Sequence, residues 1–586
     1  MDKYARFRYQ PCIPMGADGR KLTGSPEHTA LSRKAAGEGM VLLKNRLHTL
    51  PLMRGTRVAL FGKATIEYIK GGGGSGDVFC AYIRNVYDGF SQKEAEGKVS
   101  VFKPTVEFYK EYVKEASKRI PTRAQIEKIW DKVNAMSFCK EKDDIIYDTF
   151  ASMHVAEAHM PDELIAEAAA NADVAIITLS RFSAEGVDRK AIPGDYYLSD
   201  TEKSLIDRVA AAFPNTVIVL NSGAVVDCEY FADNEKVGAI ISGWQGGLEG
   251  GMAIADIICG DVNPSGKLAE TYPFSLEDTP CYNNFPGHTA TVEYREGLYI
   301  GYRYYDTAKK NVLFPFGFGL SYTTFEYSDL KVSADSIKDT DTLKVSFKIK
   351  NTGDRDGAEV AELYVAQENS TIFRPEKELK GFKKVFLKAG EEKEVEIELS
   401  KRAFAFYDVD LGDWHVETDN YKILVGASSR DIRLEGSVKV ESTVDAPVKD
   451  LRETMPAYYS ADVMNVPDDQ FKALLGHEIP ESEIHDYPNL TFANTLEDSA
   501  CGKNGAKLCK MLRKFVGSEG MACSIALQTP VKNFVSMSMG VFSEKLGHQL
   551  LDILNDKKPM GRGILVLIGK AIPAVVKGLP NLLKNI

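Results

Sequence analysis

The residues best suited to chemistry lie in two short stretches. In LSRFSAEGVDR, residues 179–189, a single glutamate, Glu185, stands on a small-residue loop that directly follows the apolar run ADVAIITLS. Asp188 and Arg189 come just after it. A carboxyl on such a loop can be carried against a substrate oxygen. Where water is excluded its pKa rises, and it becomes a proton donor near neutral pH. Read from spacing alone, Glu185 is equally a solvated loop acid or an ion-pair partner of Arg189.

The second stretch is KGGGGSGDV: Lys70, Gly71, Gly72, Gly73, Gly74, Ser75, Gly76, Asp77 and Val78. Gly71, Gly73 and Gly76 formally fit the dinucleotide pattern GxGxxG. A run of four glycines fits many patterns, however, and these glycines do not directly follow the preceding strand. No Lys-Ser/Thr pair completes a phosphate loop. A loop whose backbone approaches a ligand or a neighbouring domain is the better reading.

The elements around these loops set their placement. TRVALFGKA, DVAIITLS, NTVIVLNSG and VGAIISG are continuously apolar and alternate with helical patterns such as HTALSRKAAGEGM and LSDTEKSLIDRVAAAF. That alternation predicts a mostly parallel sheet covered on both faces, an α/β sandwich. Ser199 and Glu202 form a capping-box signal at the start of the second helix. In such sheets ligands bind beyond the carboxyl ends of the strands, so the glycine loop and Glu185 are placed to line one rim. Residues 85–155 read as charged and helical. After 328 the pattern changes to period two: TLKVSFKIKNTG, AEVAELYVAQ, FKKVFLKAG, KEVEIELS and NYKILVGAS. These predict an all-β immunoglobulin-like, fibronectin type III-like sandwich. The expected division is an N-terminal extension (1–27), an α/β domain (28–327), the β-sandwich (328–442) and a partly helical C-terminal extension (443–586).

The 586 residues carry a formal charge of −11 without a basic stripe, which argues against nucleic-acid binding. Nine cysteines, irregularly spaced and without a CxxC pair, point to a reducing compartment. The charged opening MDKYARFRYQPC lacks the apolar core of a signal peptide and reads as a native start, so a cytoplasmic location is expected. The apolar tail GILVLIGKAIPAVVKGLPNLLKNI is interrupted by Lys570, Pro573, Lys577 and Pro580. It is too broken to span a bilayer and is expected to dock on the protein as an amphipathic helix. His154 and His159 stand five apart, off a common helical face, and no HExxH occurs, so no metal site is expected.

Several longer motifs, in order, resemble glycoside hydrolase family 3, the β-glucosidase family. They are LSRFSAEGVDRKAIPGDYYLSD, VLNSGAVVD, GWQGGLEGG, DIICGDVNPSGKLAETYPFS, EYREGLYIGYRYYD and FPFGFGLSYTTFEY. RKAAGEGMVLLKN and KGGGGSGDV resemble the opening and the glycine loop of that family's α/β-sandwich domain. WHVETDNYKILVGASS resembles its fibronectin-like domain. The likeness covers residues 28–440. It implies that Glu185, in Ser183-Ala184-Glu185-Gly186-Val187-Asp188-Arg189, is the general acid/base of the family pattern Ser-Gly-Glu-Gly-x-Asp-Arg, with Ala184 in place of glycine. It makes Asp188 and Arg189 orienting neighbours and the stretch Lys70 to Asp77 the loop that approaches the sugar. Trp244, Gln245 and Glu249 match a patch read as mainly architectural.

The family's nucleophile is an aspartate on a (β/α)₈ barrel, in a Ser-Asp-Trp-like motif. No such motif occurs here, and GDW at 412–414 reads as a turn before a strand. A barrel needs about 250 residues, more than precede or follow the matched region. The resemblance therefore implies a β-glucosidase-type hydrolase without cofactor, acting on a β-linked glucoside or related oligosaccharide. Its nucleophile would come from a barrel on a partner chain, or from the remainder of a longer gene of which this reading frame is the later part. The alternative is a non-catalytic carbohydrate-binding or interaction module.

Overall fold

The computed structural model describes residues 24–73, 80, 82–134, 140–183, 189–285, 292–479, 484–516, 527–536 and 542–561. The tail expected to dock as a helix lies outside them. The chain forms two compact units. One holds residues up to 120, 154–279 and 298–451, and the other 121–153, 280–297 and 452 onward.

In the first unit, six strands form one sheet: β1 (Val41–Asn45), β2 (Thr56–Phe61), β3 (Val99–Val101), β4 (Val174–Ser180), β5 (Thr216–Asn221) and β6 (Val237–Ser242). Their order is β1-β6-β5-β4-β2-β3; all neighbours are parallel except β1 and β6. The central strands β4, β5 and β6 are buried along their whole length because both faces are covered. Ala59 and Phe61 pack into one core with Ile177 and Leu205, while Val58 and Leu60 pack into the other with Ile176 and Ile254. Ser199 caps the helix Asp200–Ala212 in a full capping box with Glu202. The 85–155 stretch departs from an all-helical reading, because β3 pairs with β2 between the helices Val86–Ala95 and Lys103–Ala116.

A β-sandwich follows in the same unit. Its five-stranded sheet runs Ser336–Lys338, Asp431–Glu441, Asp419–Ser428, Gly357–Gln367, Glu378–Leu387. Its three-stranded sheet runs Glu392–Leu399, Leu343–Asn351, Phe325–Val332. Alternate residues such as Val345, Phe347 and Ile349 point into the shared core, which explains the period-two pattern. Asp413–His415 is a short strand paired with Phe406–Asp408, in keeping with GDW as a turn before a strand.

The second unit is helical, with a core that includes Leu490, Leu508, Leu512, Val531 and Leu554. Among the described residues no helix is long and apolar enough to cross a membrane.

Candidate active site at the carboxyl ends of β2 and β4

Both loops singled out in the sequence leave the same edge of the sheet, from adjacent parallel strands. Gly62 directly follows β2, with φ +85°; a Cβ there would lie 2.2 Å from the Thr178 carbonyl oxygen of β4. Only glycine lets the two strand ends lie this close while the chain turns out through Lys63–Thr65. It then runs through Glu67, Tyr68 and Ile69 to Lys70 and Gly71.

The stem of the glycine loop is fixed by β5 and β6. Asn221, fully buried at the end of β5, accepts a hydrogen bond from Ile69 N–H (2.8 Å) and donates to the carbonyls of Ile69 (2.9 Å) and Trp244 (2.7 Å). Gly247 N–H donates to the Lys70 carbonyl (2.9 Å), and Gly246 N–H donates to the Tyr68 hydroxyl (3.0 Å). Burial pushes that hydroxyl's pKa up to about 12.

β4 continues as Arg181, Phe182 and Ser183. Gly73 N–H donates to the Ser183 carbonyl (2.8 Å), and a Cβ on Gly72 would come within 3.2 Å of the same oxygen. The two loops are therefore in backbone contact at their stems. Of the residues named from the sequence, Lys70, Gly71, Gly72, Gly73 and Arg189 are described. Gly74, Ser75, Gly76, Asp77, Glu185 and Asp188 lie outside the described residues.

Two arginines hold the stems on either side of residues 184–188. Arg181 is buried and forms a two-pronged ion pair with Glu202 (2.6 and 2.9 Å), the capping-box acid of Asp200–Ala212. Arg189 donates from Nε to Asp195 (2.6 Å) and from Nη1 to the Val225 carbonyl (2.8 Å). Both also bond the Asp195 carbonyl (2.5 and 2.8 Å). A planar guanidinium with several donors suits such bracing.

A charged set stands behind the stems. Glu67 accepts from Lys63 Nζ (2.7 Å) and from Val155 N–H (3.1 Å), and lies 3.5 Å from His154 Nδ1. Burial would raise the Glu67 carboxyl, but His154, Lys63 and the Val155 amide together bring it below its usual value. Glu157 accepts from the backbone N–H groups of Lys63 and Ala158 (2.9 Å each); burial outweighs these bonds and pushes its pKa up to about 7. Among the described residues no group of three or more His, Cys, Asp or Glu is arranged to hold a metal ion.

Sequence reasoning did not single out Asn221, Arg181, Glu67 or Glu157. A signal was present for Arg181, since an arginine directly after a buried apolar strand needs a carboxylate partner. Trp244 has φ +50°, and its indole N–H donates to the Gly39 carbonyl (3.0 Å); Glu249 is buried. Both features fit the architectural reading of that patch.

A mostly parallel sheet with two loop stems in contact at its carboxyl rim is thus followed by a fibronectin-like sandwich. Residues 40–322 match the glycosyl hydrolase family 3 C-terminal domain, and residues 359–429 a fibronectin type III-like domain. The chain therefore contains a glycosyl hydrolase family 3 C-terminal domain and a fibronectin type III-like domain. It is 38% identical over 476 residues to β-glucosidase A of Butyrivibrio fibrisolvens, covering 74% of this chain and 54% of the relative. It is 36% identical to thermostable β-glucosidase B of Acetivibrio thermocellus, covering 90% of this chain and 60% of the relative. Among solved structures it is similar to β-glucosidase 3B from Thermotoga neapolitana in complex with glucose. The TM-score there is 0.61 at 36% identity, over 70% of this chain and 54% of that one. The chain thus spans 54–60% of the length of these three relatives.

Proposed function

We propose that these residues form the acid/base half of a β-glucosidase-type glycoside hydrolase acting on a β-linked glucoside or related oligosaccharide. The observation that supports this most directly is the Gly73 N–H to Ser183 carbonyl bond, which brings the glycine-loop stem against the stem that leads to Glu185. In this reading Glu185 gives its proton to the departing glycosidic oxygen, then takes one from the water that releases the sugar. Lys70 to Asp77 approach the sugar, and Asp188 and Arg189 hold the acid's loop. No cofactor is required, and the irregularly spaced cysteines support a reducing, cytoplasmic setting.

A retaining glycosidase also needs a nucleophilic carboxylate about 5–5.5 Å from the acid. In this reading it is the aspartate of a (β/α)₈ barrel supplied from outside these 586 residues. The test combines the chain with a barrel-bearing polypeptide of the family and follows hydrolysis of an aryl β-glucoside. Activity should appear only in the mixture, and Glu185→Gln should lower it by roughly 10²–10⁴-fold. Full-rate hydrolysis by the chain alone, untouched by Glu185→Gln, would overturn the assignment. Glucose binding by the chain alone, with no activity in any mixture, would favour the non-catalytic module.

A further inference from the structure

We infer that His154 is a positioning residue, a strut that ties the stem of the glycine loop to the stem of the loop carrying Glu185; this rests on the acid/base reading above. His154 is the first residue of its compact unit after the 121–153 excursion. It touches both stems at once. Its ring centroid lies 4.3 Å from that of Phe182, with the planes tilted by 36°. Its Nδ1 lies 3.5 Å from Glu67 Oε1. Phe182 precedes Glu185 by three residues, and Glu67 precedes Lys70 by three.

The rest of the set makes this contact firm. Glu67 is held in turn by Lys63 Nζ and by the Val155 amide, so the residue next to the strut is pinned to the same carboxylate. The side chains of His154, Glu67 and Lys63 are only 25%, 17% and 10% exposed. A proton donor works only when held close to its productive geometry. Phe182 can fix the direction in which the chain leaves β4 only if something packs on its ring, and His154 does. The ring contact and the carboxylate contact are separable: phenylalanine at 154 keeps the first and loses the second.

The experiment uses His154→Ala and His154→Phe in two arms. In the first, each variant is combined with the barrel-bearing polypeptide, and kcat/KM is compared for an alkyl β-glucoside and for 2,4-dinitrophenyl β-glucoside. The alkoxide must be protonated as it leaves, whereas the dinitrophenolate leaves without a proton. His154→Ala should lower kcat/KM roughly 10–100-fold for the alkyl glucoside and by no more than about threefold for the dinitrophenyl one. His154→Phe should restore most of the loss. Equal effects on both substrates, or none on either, would overturn the inference.

In the second arm, hydrogen exchange is measured on the chain alone. His154→Ala should speed exchange in residues 178–183 and 67–73, and His154→Phe in 67–73 only. Unchanged exchange at 178–183 in His154→Ala would overturn the strut. If the unmodified mixture hydrolyses neither substrate, the proposed function fails, while the exchange arm still decides the strut. If His154→Ala does not fold, His154→Phe and Phe182→Leu carry the same comparison, with Phe182→Leu expected to behave as the alanine variant at 178–183.

Discussion

Glu157 follows His154 by three residues, buried and held by two backbone amides, with its carboxyl pushed up to about 7 against an ordinary 4.5. The folded protein therefore binds this proton more tightly than the unfolded chain. The resulting stability is fully present below about pH 4.5 and is lost as pH rises through the interval up to about 7. Glu157→Gln should remove about 2 kcal/mol of the fall in unfolding free energy between about pH 5 and pH 8. Denaturant unfolding of both proteins at the two values checks it; an unchanged fall would mean that Glu157 ionises normally. At this scale the sequence was legible where chemistry shows in composition. The capping box Ser199–Glu202 could be named and is formed, whereas Glu185 and Gly74 to Asp77 lie outside the described residues. Asn221 could not be named, because its partners Ile69 and Trp244 stand 152 and 23 residues away and its role is to satisfy their backbone groups. His154 was weighed only as a metal ligand, since nothing local reveals that Phe182 and Glu67 meet on it.

Among the elements, the helices Val86–Ala95 and Gly250–Ile258 show how closely the layers approach. A Cβ on Gly251 would lie 2.1 Å from the Asn85 carbonyl carbon, and one on Gly89 would lie 2.4 Å from the Gly251 oxygen. Backbone atoms cannot give way as a flexible side chain would. Gly251→Ala should therefore destabilise the protein by roughly 2–3 kcal/mol, despite alanine's better helix propensity. A lowered denaturation midpoint with unchanged slope checks this; a midpoint at or above that of the parent would refute it. The strands β2, β4, β5 and β6 were legible because burial on both faces makes them predominantly apolar. β3 was not: three residues are too few to establish a period, and pairing of Thr56–Val58 with Val99–Val101 defines it.

Across the whole molecule, charge couples the α/β region to the β-sandwich within one compact unit. Asp306, on the short helix Tyr302–Thr307, is buried and pairs with Arg430 (2.7 Å) and Lys377 (3.1 Å) of the sandwich. Lys267 reaches Glu359 (3.1 Å) across the same junction. Removing one member of a buried set leaves its partners uncompensated. Asp306→Ala should cost roughly 3 kcal/mol and divide thermal unfolding into two separate steps, sandwich and α/β region. A single step at the parent's midpoint would contradict the coupling.

The amino-acid sequence by itself determined the layer architecture, the order of an α/β domain before a β-sandwich, and the loops that carry the candidate chemistry. Those properties follow from burial periodicity and from residue types that only certain backbones or reactions require. The tertiary structure decided what braces those loops: the Gly73–Ser183 contact, Asn221 beneath the glycine loop, Arg181 on Glu202, and His154 between the two stems. It also sorted residues 121–153 and 280–297 away from their sequence neighbours into the second unit. The physical reason is one of range: patterning reports each residue's exposure to its own core, whereas bracing joins groups far apart in the chain and leaves no periodic trace.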